Sequence, residues 1–144
     1  QSKITLSGIE IDIKVIGHFD EWKKEINTIN NSYDAVIIGL YQTLRDQNEK
    51  HIPDSQVISW SVNNLQKKSF GFWEFSVGKD KTIGGLVLSG DEQGKRTAGM
   101  IIKYYATNKM PIIETSDNGK LIFSKTGLNK WKINLPENIK KEAV

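Results

Sequence analysis

Residues 35–40 read Ala-Val-Ile-Ile-Gly-Leu, an unbroken apolar run of strand length. A strand that is apolar at every position has no face to offer water, so it is expected to be buried on both sides. That requirement calls for a parallel sheet between helical layers, and the flanking sequence supplies matching pieces. Ile9, Ile11, Ile13 and Val15 recur at every second position, the period of a half-buried strand. His18-Phe19-Asp20 ends that pattern, with Asp20 placed as a helix N-cap. Trp22, Ile26 and Ile29 then share one helical face, which closes at Asn30-Asn31-Ser32.

After a polar loop over residues 45–51, Pro53-Asp54 opens a second helix whose inward face is Val57, Ile58, Ser61 and Leu65. Residues 70–77 read as the next buried strand and residues 84–89 as another. Asp91 caps a longer helix carrying Ala98, Ile101, Ile102 and Tyr105, stopped by Met110-Pro111. Residues 112–115 and 120–123 flank Asp117-Asn118-Gly119, the signature of a hairpin. A short helical stretch over residues 128–131 and a stop at Asn134-Leu135-Pro136 complete the chain. The expected fold is α/β, a single ligand-binding domain over residues 1–144. It is three-layered, with a mostly parallel sheet, helices on both faces and a C-terminal hairpin.

Composition narrows the function classes. The 20 basic and 17 acidic side chains are scattered and leave a net charge of only +3, so no nucleic-acid partner is expected. The chain has no cysteine, which excludes a disulfide framework and a thiolate metal site. No stretch reaches the roughly 18–20 apolar residues of a membrane span. The chain begins at Gln1 without a signal peptide, as expected of a mature product or an excised piece.

In parallel sheets ligands bind beyond the carboxyl ends of the strands, here residues 41–44, 73–78 and 89–93. Gly90-Asp91-Glu92-Gln93-Gly94-Lys95-Arg96-Thr97 lies where a phosphate loop would lie. It has three residues between its glycines where four are needed, Arg96 where a magnesium-binding hydroxyl is needed, and two carboxylates where phosphates would sit. His18 and His51 lack partners at metal-ligand spacing, and no Gly-x-Ser-x-Gly elbow is present. Glu74 and Asp91, at two strand ends, are the pair a glycosidase would need, but their spacing in sequence says nothing of their separation. A phospho-acceptor domain would need aspartates where the first two strands end in Gly17-His18 and Leu40-Tyr41. No catalytic residue, metal or cofactor is therefore expected. What remains is a lining of Tyr41, Gln42, Trp73, Glu74, Phe75, Ser76, Asp91 and Gln93. Aromatic faces with a few polar groups suit a small polar solute such as a sugar or an amino acid. Phe72 and Trp73 point to opposite faces by strand alternation, so part of this aromatic set belongs to the core.

Phe19-Asp20-Glu21-Trp22-Lys23 and Tyr33-Asp34-Ala35-Val36-Ile37-Ile38-Gly39 resemble a family of ABC-type substrate-binding proteins. So do Gly71-Phe72-Trp73-Glu74-Phe75-Ser76-Val77-Gly78, and the run from Gly84-Gly85-Leu86-Val87 to Asp91-Glu92-Gln93-Gly94. The closing Leu121-Ile122-Phe123-Ser124 and Trp131-Lys132-Ile133-Asn134-Leu135-Pro136 are similar to the same family, in the same order. The resemblance implies one lobe of a type I periplasmic-binding fold, with the first lobe and the opening strand and helix of the second outside this chain. It implies reversible solute capture outside the cytoplasm and a transporter permease as partner. The same module as the sensory input of a signalling protein is the second expectation, and a hydrolase the third. A strand edge at residues 9–15 left bare in this way would favour a homodimer or a segment exchange.

Overall fold

In a computed structural model, which describes residues 2–113 and 119–142, the chain is a mixed α/β protein with short ladders. Strand β1 (Ser2–Leu6) and strand β2 (Ile9–Ile13) form an antiparallel hairpin in which Leu6 faces Ile9. Its two turn residues, Ser7 and Gly8, both have positive φ, the backbone twist that a two-residue hairpin requires. The alternating isoleucines of β2 were expected at an open sheet edge; β2 pairs with β1 on one side, and in this two-stranded ladder its other side is unpaired among the described residues. The hairpin is tied to the next element by Tyr33, whose hydroxyl donates to Asp12 at 2.6 Å, and by an ion pair between Lys14 and Glu25.

Helix α1 (Phe19–Ser32) is capped two residues earlier than expected: His18, not Asp20, is the N-cap. Asp20 and Glu21 lie in the first turn instead, where negative charge meets the positive end of the helix dipole. Strand β3 (Ala35–Ile38) pairs in parallel with strand β4 (Lys68–Gly71), and helix α2 (Asp54–Asn64) makes the crossover between them. The inward face read from the 3–4 spacing is the one that packs, since Val57, Ile58, Ser61 and Leu65 are all buried. They meet Phe19, Ile26, Ile38, Tyr41 and Leu44 in one core. Phe19 and Trp60 meet edge to face at 5.8 Å, and Trp22 donates its indole N–H to Ser61 Oγ at 2.8 Å, so the α1–α2 contact is satisfied in both apolar and polar terms.

Strand β5 (Gly84–Val87) is antiparallel to strand β6 (Lys120–Phe123). It is held beside β4 only at its ends, where the Ile83 N–H donates to the Ser69 carbonyl at 2.8 Å and the Leu88 N–H to the Phe72 carbonyl at 2.7 Å. Between these bonds two residues of one strand, Phe70 and Gly71, therefore face four of the other, residues 84–87. The excess falls at Gly84 and Gly85, both with positive φ, as in a bulge. That irregularity breaks the expected continuous sheet into short ladders. The strand expected over residues 70–77 ends early for a related reason. After Gly71 the chain bends into a 3-10 turn, Glu74–Ser76, locked by Ser76 Oγ donating to the Trp73 carbonyl at 2.6 Å.

Two further expectations are corrected. Helices do not cover both faces of β3, because Val36 packs on the core while Ile37, pointing the other way, is 55% exposed. The C-terminal hairpin is not formed as read: β6 pairs with β5, and Ile112 and Ile113 are not in a strand. Its turn, residues 117–119, lies largely outside the described residues. Helix α3 (Gly90–Thr107) is capped by Ser89 rather than Asp91, and it ends at Asn108 in the left-handed conformation, before Met110-Pro111. None of its residues is buried. Helix α4 (Lys125–Trp131) is capped by Ser124, whose hydroxyl accepts from the Gly127 N–H at 3.2 Å. Past Asn134-Leu135-Pro136 the chain resumes as helix α5 (Glu137–Glu142). No helix of the described residues is long and apolar enough to cross a membrane.

Candidate functional site

The parallel β3–β4 pair and a parallel bridge between Trp73 and Leu88 bring three strand ends to one edge. Strand β6 runs the opposite way, so its first residue, Lys120, arrives at that same edge opposite Val87. Lys120 Nζ lies 2.9 Å from Glu74 Oε1, an ion pair spanning 46 residues of sequence. The Glu74 backbone N–H donates to the Leu88 carbonyl at 3.1 Å, which fixes where the side chain begins.

Hydrogen bonding from Lys120, then from Ser89, holds the Glu74 carboxyl below its ordinary value, while Asp91 opposes the shift. Beside the pair, Ser89, Asp91, Glu92, Gly119 and Lys120 line an open depression of about 310 Å³ at the start of α3. Asp91 also meets Lys95 at 2.7 Å and Glu92 meets it at 3.3 Å, which raises the Lys95 ammonium above its usual range. The rim thus alternates in charge rather than presenting one sign.

Trp73 stacks on Phe75 at 5.9 Å with the rings 10° apart, and Phe75 tilts against Tyr41 at 6.5 Å. Phe75 remains 49% exposed, so this aromatic group has one face in water. The Trp73 indole N–H is buried and has no acceptor among the described residues. Buried donors are almost always paired, which makes this group a hydrogen-bond site in need of a partner.

Of the residues singled out from sequence, Trp73, Glu74 and Asp91 fall around this edge. Tyr41 reaches it only through Phe75; it is itself a core residue, 2% exposed, with its phenol pushed up by burial. Gln42 turns back on the chain, with Oε1 accepting from the Tyr41 N–H at 3.0 Å. Ser76 is fully buried in the lock of the 3-10 turn. Gln93 is half-buried on the first turn of α3, and its N–H donates to the Ser89 carbonyl at 3.1 Å. Of the site residues read from sequence, only Asp91 lines the depression itself.

Lys120 was not read from sequence, and Ser89 was read only as the start of the segment 89–93. Lys120 was assigned to a hairpin with residues 112–115, which would have carried it away from Glu74. No three His, Asp or Glu residues come together as a metal site among the described residues. No protein-family model, curated protein or solved structure matches the chain.

The Glu74–Lys120 clasp gives a pH prediction. Because the folded carboxyl titrates below its ordinary value of 4.5, the clasp contributes fully above that pH. Its contribution is lost as the pH falls through the lower folded value. Acid titration followed by the fluorescence of the neighbouring Trp73 is expected to show a step below pH 4.5 that Glu74→Gln removes. A step that persists in the variant would assign the titration elsewhere.

Proposed function

We propose that this chain captures a small polar solute reversibly and without chemistry, as the extracytoplasmic ligand-binding portion of an ABC-type transport system. In this reading it is one lobe of a type I periplasmic-binding fold, and a permease is its partner in transport. The observation that carries the reading is the meeting, at one strand edge, of a half-exposed aromatic stack with an orphaned indole donor and a fixed pair of opposite charges. Flat rings bind the apolar face of a sugar or side chain, and the charged pair orients polar groups of the ligand. The ordered run of family-like segments from Phe19 to Pro136 supports the same reading.

A carboxyl held ionised by lysine is a good acceptor and a poor proton donor at neutral pH, which favours binding over acid catalysis for Glu74. Calorimetric titration of the chain with free amino acids and with sugars tests the proposal. Weak binding of a member of one of these classes is expected, because one lobe supplies only part of a two-lobe site. Trp73→Ala and Glu74→Ala are each expected to weaken that binding by about 1–3 kcal/mol. No heat from either class, or equal affinity in both variants with unchanged circular dichroism, would remove the site assignment.

A further inference from the structure

We infer that α3 is a homodimerisation helix, pairing antiparallel with α3 of a second copy of this chain. The starting observation is physical: an 18-residue helix buries none of its residues against the chain that carries it. Ile101, Ile102 and Tyr105 are 51%, 69% and 81% exposed. An amphipathic helix that leaves its apolar side in water calls for a partner.

The pattern of that side says which partner. Asp91, Gly94, Ala98, Ile101, Tyr105 and Asn108 follow one another at alternating steps of three and four, the spacing of a coiled-coil seam. The residues are small in the first half of the seam and bulky in the second. A parallel pair would set Gly94 against Gly94 and Tyr105 against Tyr105, leaving a gap at one end and crowding at the other. An antiparallel pair with its two-fold axis between Gly99 and Met100 sets Gly94 against Tyr105 and Ala98 against Ile101, twice each. Each inner layer then combines a small residue with a large one, so the helices can approach closely without a void. The outer layers become Asp91 against Asn108, polar where the seam meets water. Helix dipoles oppose, and the acidic first turn with Asp91 and Glu92 meets the end that carries Lys109. A surface that complements itself under a two-fold rotation is what an isologous dimer needs.

The test is sedimentation equilibrium of the full 144-residue chain from micromolar to millimolar concentration. Reversible dimerisation is expected, and Ile101→Glu is expected to weaken it by more than about thirtyfold. Lys103→Glu, two residues on and round the other side of the helix, is expected to change it little. Because Ile101 is exposed, the Ile101→Glu monomer is expected to keep its circular dichroism spectrum. Orientation is read independently, since the chain has no cysteine of its own. Ala98→Cys and Ile101→Cys chains, one carrying a size tag, are mixed and oxidised. The antiparallel register yields mainly the mixed crosslink, whereas a parallel pair would link Ala98→Cys to itself. A strict monomer at millimolar concentration, a dimer indifferent to Ile101→Glu, or self-linked Ala98→Cys chains would each overturn the proposal.

Discussion

Gly84→Ala is expected to destabilise the fold by about 2–5 kcal/mol, from overpacking and backbone strain acting at one position. Gly84 adopts φ +112°, a conformation that side chains resist, and a Cβ there would collide with the Ile122 carbonyl on the paired strand. The carbonyl belongs to the backbone of β6, so relief would require the β5–β6 ladder to open. Gly85 provides the control. Its φ is +138°, yet a Cβ there would meet nothing within 4 Å. Gly85→Ala therefore carries the backbone strain alone, about 1–3 kcal/mol. Urea unfolding of the two variants separates the contributions. Equal loss in both would mean that the close approach of Ile122 does not matter and that β6 is not held where described.

Neighbouring isoleucines on β3 make the second large effect. Ile38→Ala is expected to cost about 2–5 kcal/mol, because Ile38 is 2% exposed in the core between α1 and α2 and nothing there can move to fill the cavity freely. Ile37→Ala, at a residue 55% exposed, is expected to cost less than about 1 kcal/mol. Chemical denaturation at low protein concentration distinguishes them. Comparable losses would show that the second face of the sheet is covered after all and that the three-layer expectation holds.

The contrast between these two residues also shows what could be read in advance. From sequence both belong to one apolar run, and both were expected to be buried. Their alternation decides only that they face opposite ways, and whether a helix stands on each side depends on elements elsewhere. The inward face of α2 was legible because Val57, Ile58, Ser61 and Leu65 repeat with the helix, a purely local property. The first helix was legible for the same reason, apart from its cap: Asp20 was expected there, but the Phe19 N–H donates to the Arg45 carbonyl at 2.8 Å and the helix begins at Phe19.

The candidate site was legible in part. Trp73, Glu74 and Asp91 follow from the rule that ligands meet strands at their carboxyl ends, which needs only strand order and direction. Tyr41 and Ser76 satisfy the same rule, but they are drawn into the core and into the 3-10 turn. Lys120 was beyond reach because its position depends on which strand β6 chooses, and the nearby turn signal pointed to residues 112–115.

By itself, the sequence determined the periods: which residues share a helix face, where β2, β3, β5 and β6 lie, and which side of α3 is apolar. Tertiary structure alone decided the partners of those faces: β5 for β6, β1 for β2, Lys120 for Glu74. The reason is that periodicity is imposed by backbone geometry within a few residues, whereas pairing is a competition among distant surfaces. The apolar side of α3 is the case in which that competition has no winner among the described residues.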